Sequence, residues 1–130
     1  MPLLLDTHIW LWSLLDPGRL SPRTHALLGS TDAALHVSPI TLWETLLLAE
    51  RGRLSLRPDP PSWLQEALAR SPVKETPLNF DVALASRSMD LPHQDPADRF
   101  IAATAKVYGL TLLTADTRLL ACPDIDVTPA

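Results

Sequence analysis

Short apolar runs that each stop at a residue suited to start a helix constrain this chain more than any other feature. Leu3-Leu4-Leu5 ends at Asp6, Ala33 to Val37 ends at Ser38-Pro39, and Leu110 to Thr114 leads to Asp116. Runs this short and apolar read as buried strands. Between them lie helical stretches. Thr7 to Leu15 is mostly apolar and breaks at Asp16-Pro17-Gly18. Ser21-Pro22 and Ser38-Pro39 pair a capping serine with a proline in the first turn, which opens helices ending near Gly29 and Arg51. Gly52 suits the left-handed stop of the second. Pro61 to Arg70 puts Trp63, Leu64, Ala67 and Leu68 on one face. Asn79 to Met89 suits a short helix, Asp95-Pro96 opens one that runs to Tyr108 and stops at Gly109, and Asp116 to Ala121 suits one turn. Val73 to Pro77 and Ile125 to Thr128 are weaker strand candidates. Strands alternating with helices predict an α/β fold, three layers (α/β/α) around a mostly parallel sheet.

With 130 residues, no internal repeat and no composition shift, residues 1–130 read as a single domain. A hydrophobic content of 46% can build a core, and no apolar run approaches the length of a membrane span. The N-terminus carries no basic leader and Cys122 is the single cysteine, so the expected compartment is cytoplasmic. The net charge of −4 argues against a protein that holds nucleic acid mainly by neutralising phosphates. It argues less against an enzyme whose bound metal ions supply positive charge locally.

In parallel α/β sheets, ligands bind beyond the carboxyl ends of the strands, so acids just after strands carry weight. Asp6 there is a ligand, a catalytic group or a cap. Glu44 lies among Ile40, Leu42, Trp43, Leu46, Leu47 and Leu48, which predicts a largely buried helix. A buried glutamate needs a partner, either an arginine or a divalent cation. Asp95 is a good N-cap, and Asp98 falls in the first turn, where the helix dipole favours an acid. Asp116 suits an Asx turn or a cap. Each acid has a local explanation. Together they come from four separate regions that a parallel sheet can bring to one edge. Clustered carboxylates repel, and Mg²⁺ or Mn²⁺, which prefer oxygen ligands, relieve the repulsion. Such a site suits metal-assisted phosphodiester hydrolysis.

These same segments carry a resemblance to the PIN family, in its VapC toxin branch. Leu3-Leu4-Leu5-Asp6-Thr7-His8 resembles the opening strand with its first acid. Ser38-Pro39-Ile40-Thr41-Leu42-Trp43-Glu44 resembles the second motif. His93-Gln94-Asp95-Pro96-Ala97-Asp98-Arg99-Phe100-Ile101-Ala102-Ala103 resembles the third, with Asp98 as its metal-site acid. Leu113-Thr114-Ala115-Asp116 resembles the fourth. The motifs occur in family order from Leu3 to Asp116. The resemblance implies a PIN-like domain with catalytic, metal-binding Asp6, Glu44, Asp98 and Asp116. It implies Mg²⁺- or Mn²⁺-dependent RNA cleavage leaving 3′-hydroxyl and 5′-phosphate ends, a homodimer, and a cognate VapB-like antitoxin. Such an antitoxin is expected to contact the acidic pocket with an arginine or lysine, since pairing would relieve the carboxylates. Supporting roles fall to Asp95 as helix cap and to Arg99 as partner of an acid or a phosphate; Thr7 and Thr114 flank the site and either hydrogen-bond a ligand water or phosphate or satisfy backbone groups locally.

Arg51, Arg53 and Arg57 are either RNA contacts or ordinary surface. Trp10, Trp12 and Trp43 are expected in the core or a dimer interface rather than stacked on bases. Trp63 is expected in the core or against the antitoxin. His8 and His93 are more readily structural than substrate-contacting. A haloacid-dehalogenase-type phosphotransferase would want a second aspartate where His8 stands. A receiver-like domain would want paired acids and a later lysine. The remaining alternative is a catalytically inactive PIN-like module that binds RNA or protein.

Overall fold

The computed structural model describes residues 2–92 and 94–130. The expectation placed on His93 lies outside the described residues. The elements run β1 (Pro2–Leu5), α1 (Thr7–Leu15), a 3-10 turn (Pro17–Arg19), α2 (Pro22–Gly29), β2 (Ala34–Val37), α3 (Pro39–Glu50), α4 (Pro60–Arg70) and β3 (Val73–Glu75). They continue through α5 (Phe80–Ser86), α6 (Pro96–Tyr108), β4 (Thr111–Thr114), α7 (Thr117–Leu120) and β5 (Val127–Pro129). The helix starts are set locally. The side chains of Ser21, Ser38, Asp59, Asn79 and Asp95 accept from the backbone N–H groups of Thr24, Ile40, Ser62, Val82 and Asp98. Gly52 (φ 71°) follows the end of α3, and Gly109 (φ 65°) ends α6, both in the left-handed region that glycine enters without penalty.

The sheet is wholly parallel, in the order β3-β2-β1-β4-β5. β1 is its centre, and Leu3, Leu4 and Leu5 are sealed from solvent. Leu4 and Leu112 join Val82, Ile101, Ala102 and Leu119 on one face, while Leu3, Leu5 and Leu113 join Ile9, Trp10 and Leu64 on the other. Helices therefore cover both faces, giving three layers. Each buried leucine contributes roughly 1.5–3 kcal/mol. In α6 the inward residues Ala102, Ala103 and Ala105 are small and buried, so this helix lies close on the sheet. Among the described residues, no helix is long and apolar enough to cross a membrane.

One expectation fails. α3 is not largely buried: its fully buried residues are Thr41 and Thr45, its leucines are only partly covered, and Trp43 is 49% exposed. α3 stands beside α1, α4 and α6 rather than being wrapped by them. It therefore turns a narrow hydroxyl-bearing face inward. Glu44 follows Thr41 by three positions, so the two share that side of the helix.

The chain winds from β1 outward through β2 to β3, then returns to place β4 on the other side of β1. The order reverses between β1 and β4. A crevice opens there beyond the strand ends, where such sheets hold ligands. Asp6 follows β1 and Asp116 follows β4, so both acids fall at this reversal.

Candidate active site

Asp6 carries the cap and the pocket at once. Its Oδ1 accepts from the Thr7 N–H at 2.9 Å, and its Oδ2 accepts from the Thr114 hydroxyl at 2.6 Å. That hydroxyl in turn accepts from the Asp116 N–H at 3.0 Å, so Thr114 ties the two strand-end acids together. Desolvation by burial pushes the Asp6 carboxyl above its usual range, outweighing the lowering by Thr114 and Thr7.

Glu44 reaches the same place from α3. Thr7, fully buried at the start of α1, lies 3.0 Å from the Thr41 hydroxyl, and its own hydroxyl beside Glu44 lowers that carboxyl's proton affinity. The Thr45 hydroxyl is turned back to the Thr41 carbonyl at 2.7 Å. Glu44 Oε1 is buried with no hydrogen-bond partner among the described residues. Burial raises this carboxyl too, and the nearby Asp6 adds to the rise.

The third side comes from the start of α6. Asp95 Oδ1 caps it by accepting from the Asp98 N–H at 3.1 Å, and the largely buried Asp98 turns its carboxylate to the crevice. Arg99 lies beneath this turn. At 5% exposure it is closed to a substrate phosphate, and its guanidinium donates to the carbonyls of Ser86, Met89 and Leu91 at 2.9, 3.0 and 3.3 Å. Its place on the inward face of α6 turns it towards the end of α5 and the segment after it, which it holds down.

Asp6, Glu44, Asp95, Asp98 and Asp116 line one open cavity of about 330 Å³ together with His8, Ile9, Trp12, Ala115 and Arg118. All four acids singled out from the sequence are thus brought together. Trp10 is a core residue set edge-on to Trp63. Trp12 lies at the cavity wall with its ring 5.9 Å from that of His8. Arg51, Arg53 and Arg57 do not line the cavity.

Arg118 was not singled out by sequence reasoning. The signal was its place two residues after Asp116, in a turn short enough for the side chain to fold back. Its Nη2 stands 3.0 Å from Asp116 Oδ2 and 3.7 Å from Asp98 Oδ2.

The residues suit a hard divalent cation in an open, hydrated setting. The donors are carboxylate oxygens, two of them on groups that burial leaves poorly solvated, and one buried oxygen has no partner among the described residues. Among the described residues, no three acid, histidine or cysteine side chains are drawn close enough to cage an ion by themselves. Mg²⁺ and Mn²⁺ would therefore retain water on the unfilled positions, as Mg²⁺ commonly does.

The family model of the PIN domain matches residues 3–124, which take in all of the five-stranded sheet but β5 and the first residue of β1, together with every acid of the cavity, and the chain belongs to that family. It is 36% identical over 119 residues to Ribonuclease VapC22 of Mycobacterium tuberculosis (strain ATCC 25618 / H37Rv), a match spanning 89% of this chain and 88% of that protein. The crystal structure of FitAcB from Neisseria gonorrhoeae is 30% identical with a TM-score of 0.61, over 96% of this chain and 95% of that one. VapBC2 from Rickettsia felis, crystallised with a DNA fragment from its promoter, shares the fold with a TM-score of 0.75 at 17% identity, over 99% of this chain and 98% of that one.

Proposed function

We propose that this chain, as a single PIN domain, is a divalent-metal-dependent ribonuclease acting as the toxin of a type II toxin–antitoxin pair in the cytoplasm. The observation that carries the reading is the convergence of Asp6, Glu44, Asp98 and Asp116, from four separate elements, on one cavity that also holds an unpartnered buried glutamate oxygen. Kinship with a protein named as a ribonuclease and with VapBC complexes supports it.

Asp6, Glu44, Asp98 and Asp116 would hold Mg²⁺ or Mn²⁺, directly or through water. A bound ion would supply charge neutralisation at the phosphate and an activated water for hydrolysis to 3′-hydroxyl and 5′-phosphate ends. The chain's own residues prepare the cavity. Thr114 and the Thr7 N–H fix the Asp6 carboxylate, and Asp95 holds the helix turn that presents Asp98. Raised carboxyl affinities for protons mark groups that gain from a cation. The partners proposed are an RNA substrate, a second copy of the chain, and a VapB-like antitoxin with a basic side chain in the cavity.

The test is cleavage of a cellular RNA pool by antitoxin-free protein with Mg²⁺ or Mn²⁺, beside Asp98→Asn and an EDTA control. Cleavage abolished in both controls is the expected result. No cleavage by folded, metal-loaded protein would favour a binding module with an inactive site.

A further inference from the structure

Arg118 is the one arginine or lysine among the residues lining the acid cavity. Its side chain returns over its own turn. Nε lies 3.2 Å from Asp116 Oδ1 and Nη2 lies 3.0 Å from Asp116 Oδ2, a two-point grip on one carboxylate. The backbone fixes the same carboxylate, because Asp116 Oδ1 also accepts from the Arg118 N–H at 2.8 Å. Nη2 approaches Asp98 Oδ2 at 3.7 Å, so one guanidinium spans acids from α6 and from the β4–α7 turn. Of the other two acids, Asp6 accepts from the Thr114 hydroxyl and Glu44 lies beside that of Thr7.

The guanidinium and a divalent cation want the same oxygens. A planar fork on both oxygens of Asp116 occupies lone pairs that an ion would use. The arginine side chain is 52% exposed, so it can turn out to water at low cost. We propose that Arg118 sets the affinity of this cavity for divalent ions: it stands in for the ion on Asp98 and Asp116 and must release them when an ion enters. This rests on the metal-site reading given above. It also gives the chain a cation within its own sequence at the place where an antitoxin's basic side chain is proposed to sit.

The experiment is calorimetric titration of Mn²⁺ into metal-free, antitoxin-free protein, for the parent chain, Arg118→Ala and Arg118→Gln, with circular dichroism to verify the fold. Loss of an exposed competing pair should tighten Mn²⁺ binding by roughly two- to fivefold in both variants. Rising NaCl should narrow the gap, since salt screens the competing pair. Parent and folded variants binding Mn²⁺ equally, or the variants binding it more weakly, would overturn the role of Arg118 and leave the metal site standing. A parent chain that binds no Mn²⁺ would overturn both.

Discussion

The two halves of the acid cavity handle charge differently. On the β1–α1–α3 side, Asp6 is held by the Thr114 hydroxyl, Glu44 lies beside that of Thr7, and the proton affinities of both acids are raised by desolvation. On the α6 and β4–α7 side, Asp98 and Asp116 share the guanidinium of Arg118. Hydroxyls orient a carboxylate without neutralising it, whereas a guanidinium does both. The first half is thus fixed in place but electrostatically unsettled. The second is balanced by a side chain that can leave. A cavity built this way has its geometry set by one wall and its charge adjusted at the other.

The sharpest break of that comparison is Asp116→Asn. It should lower RNA cleavage by about two orders of magnitude or more, while moving stability by no more than about 0.5 kcal/mol, since Asp116 is partly exposed and an asparagine there still accepts from the Arg118 N–H. A large loss of stability in urea unfolding would show that the second half is also structural. Thr114→Val probes the opposite wall. It removes the donor to a buried carboxylate and the acceptor for the Asp116 N–H, and should cost about 2–3 kcal/mol in the same unfolding experiment. An unchanged midpoint would mean that Asp6 does not depend on this hydroxyl. Asp95→Ala should cost about 1 kcal/mol through loss of the α6 cap, and Asp95→Asn should restore it because the amide oxygen still accepts.

Glu44→Gln gives the smallest effect and the most specific one. Burial raises the Glu44 carboxyl, so the folded chain keeps a proton that the unfolded chain has released. The metal-free fold is then weakened as pH climbs from about 4, the ordinary glutamate range, through the raised value. Scanning calorimetry in EDTA should find Glu44→Gln melting a few degrees above the parent at neutral pH, the difference closing near pH 4. A difference that stays constant with pH would assign the effect to packing.

Much of this was legible in the sequence because it is local. Ser21-Pro22, Ser38-Pro39 and Asp95-Pro96 announce their helices through caps that reach three or fewer residues ahead, and Gly109 announces its stop. The acids at the strand ends could be named because ligand position follows from parallel topology. Their convergence depended on β4 returning beside β1, which no local pattern dictates. The burial of α3 was misjudged because leucine counts say nothing of how many neighbours are there to cover them. The carbonyls that Arg99 holds at the end of α5 and after it carry no mark in the sequence, because only its helical position turns it inward to them. Arg118 passed unnoticed because a charged residue in a turn carries no pattern until its rotamer is known.

The central place of β1 also bears on timing. β1 is made first, but Leu5 meets Leu113 across the sheet, and Asp6 receives its hydroxyl from Thr114. Contacts this distant along the chain close late and slowly. A nascent chain that has not yet made β4 carries Asp6 and Glu44 but lacks Thr114 and Asp116, so it has no finished cavity. Whatever the cavity does to its substrate therefore waits on β4 docking beside β1.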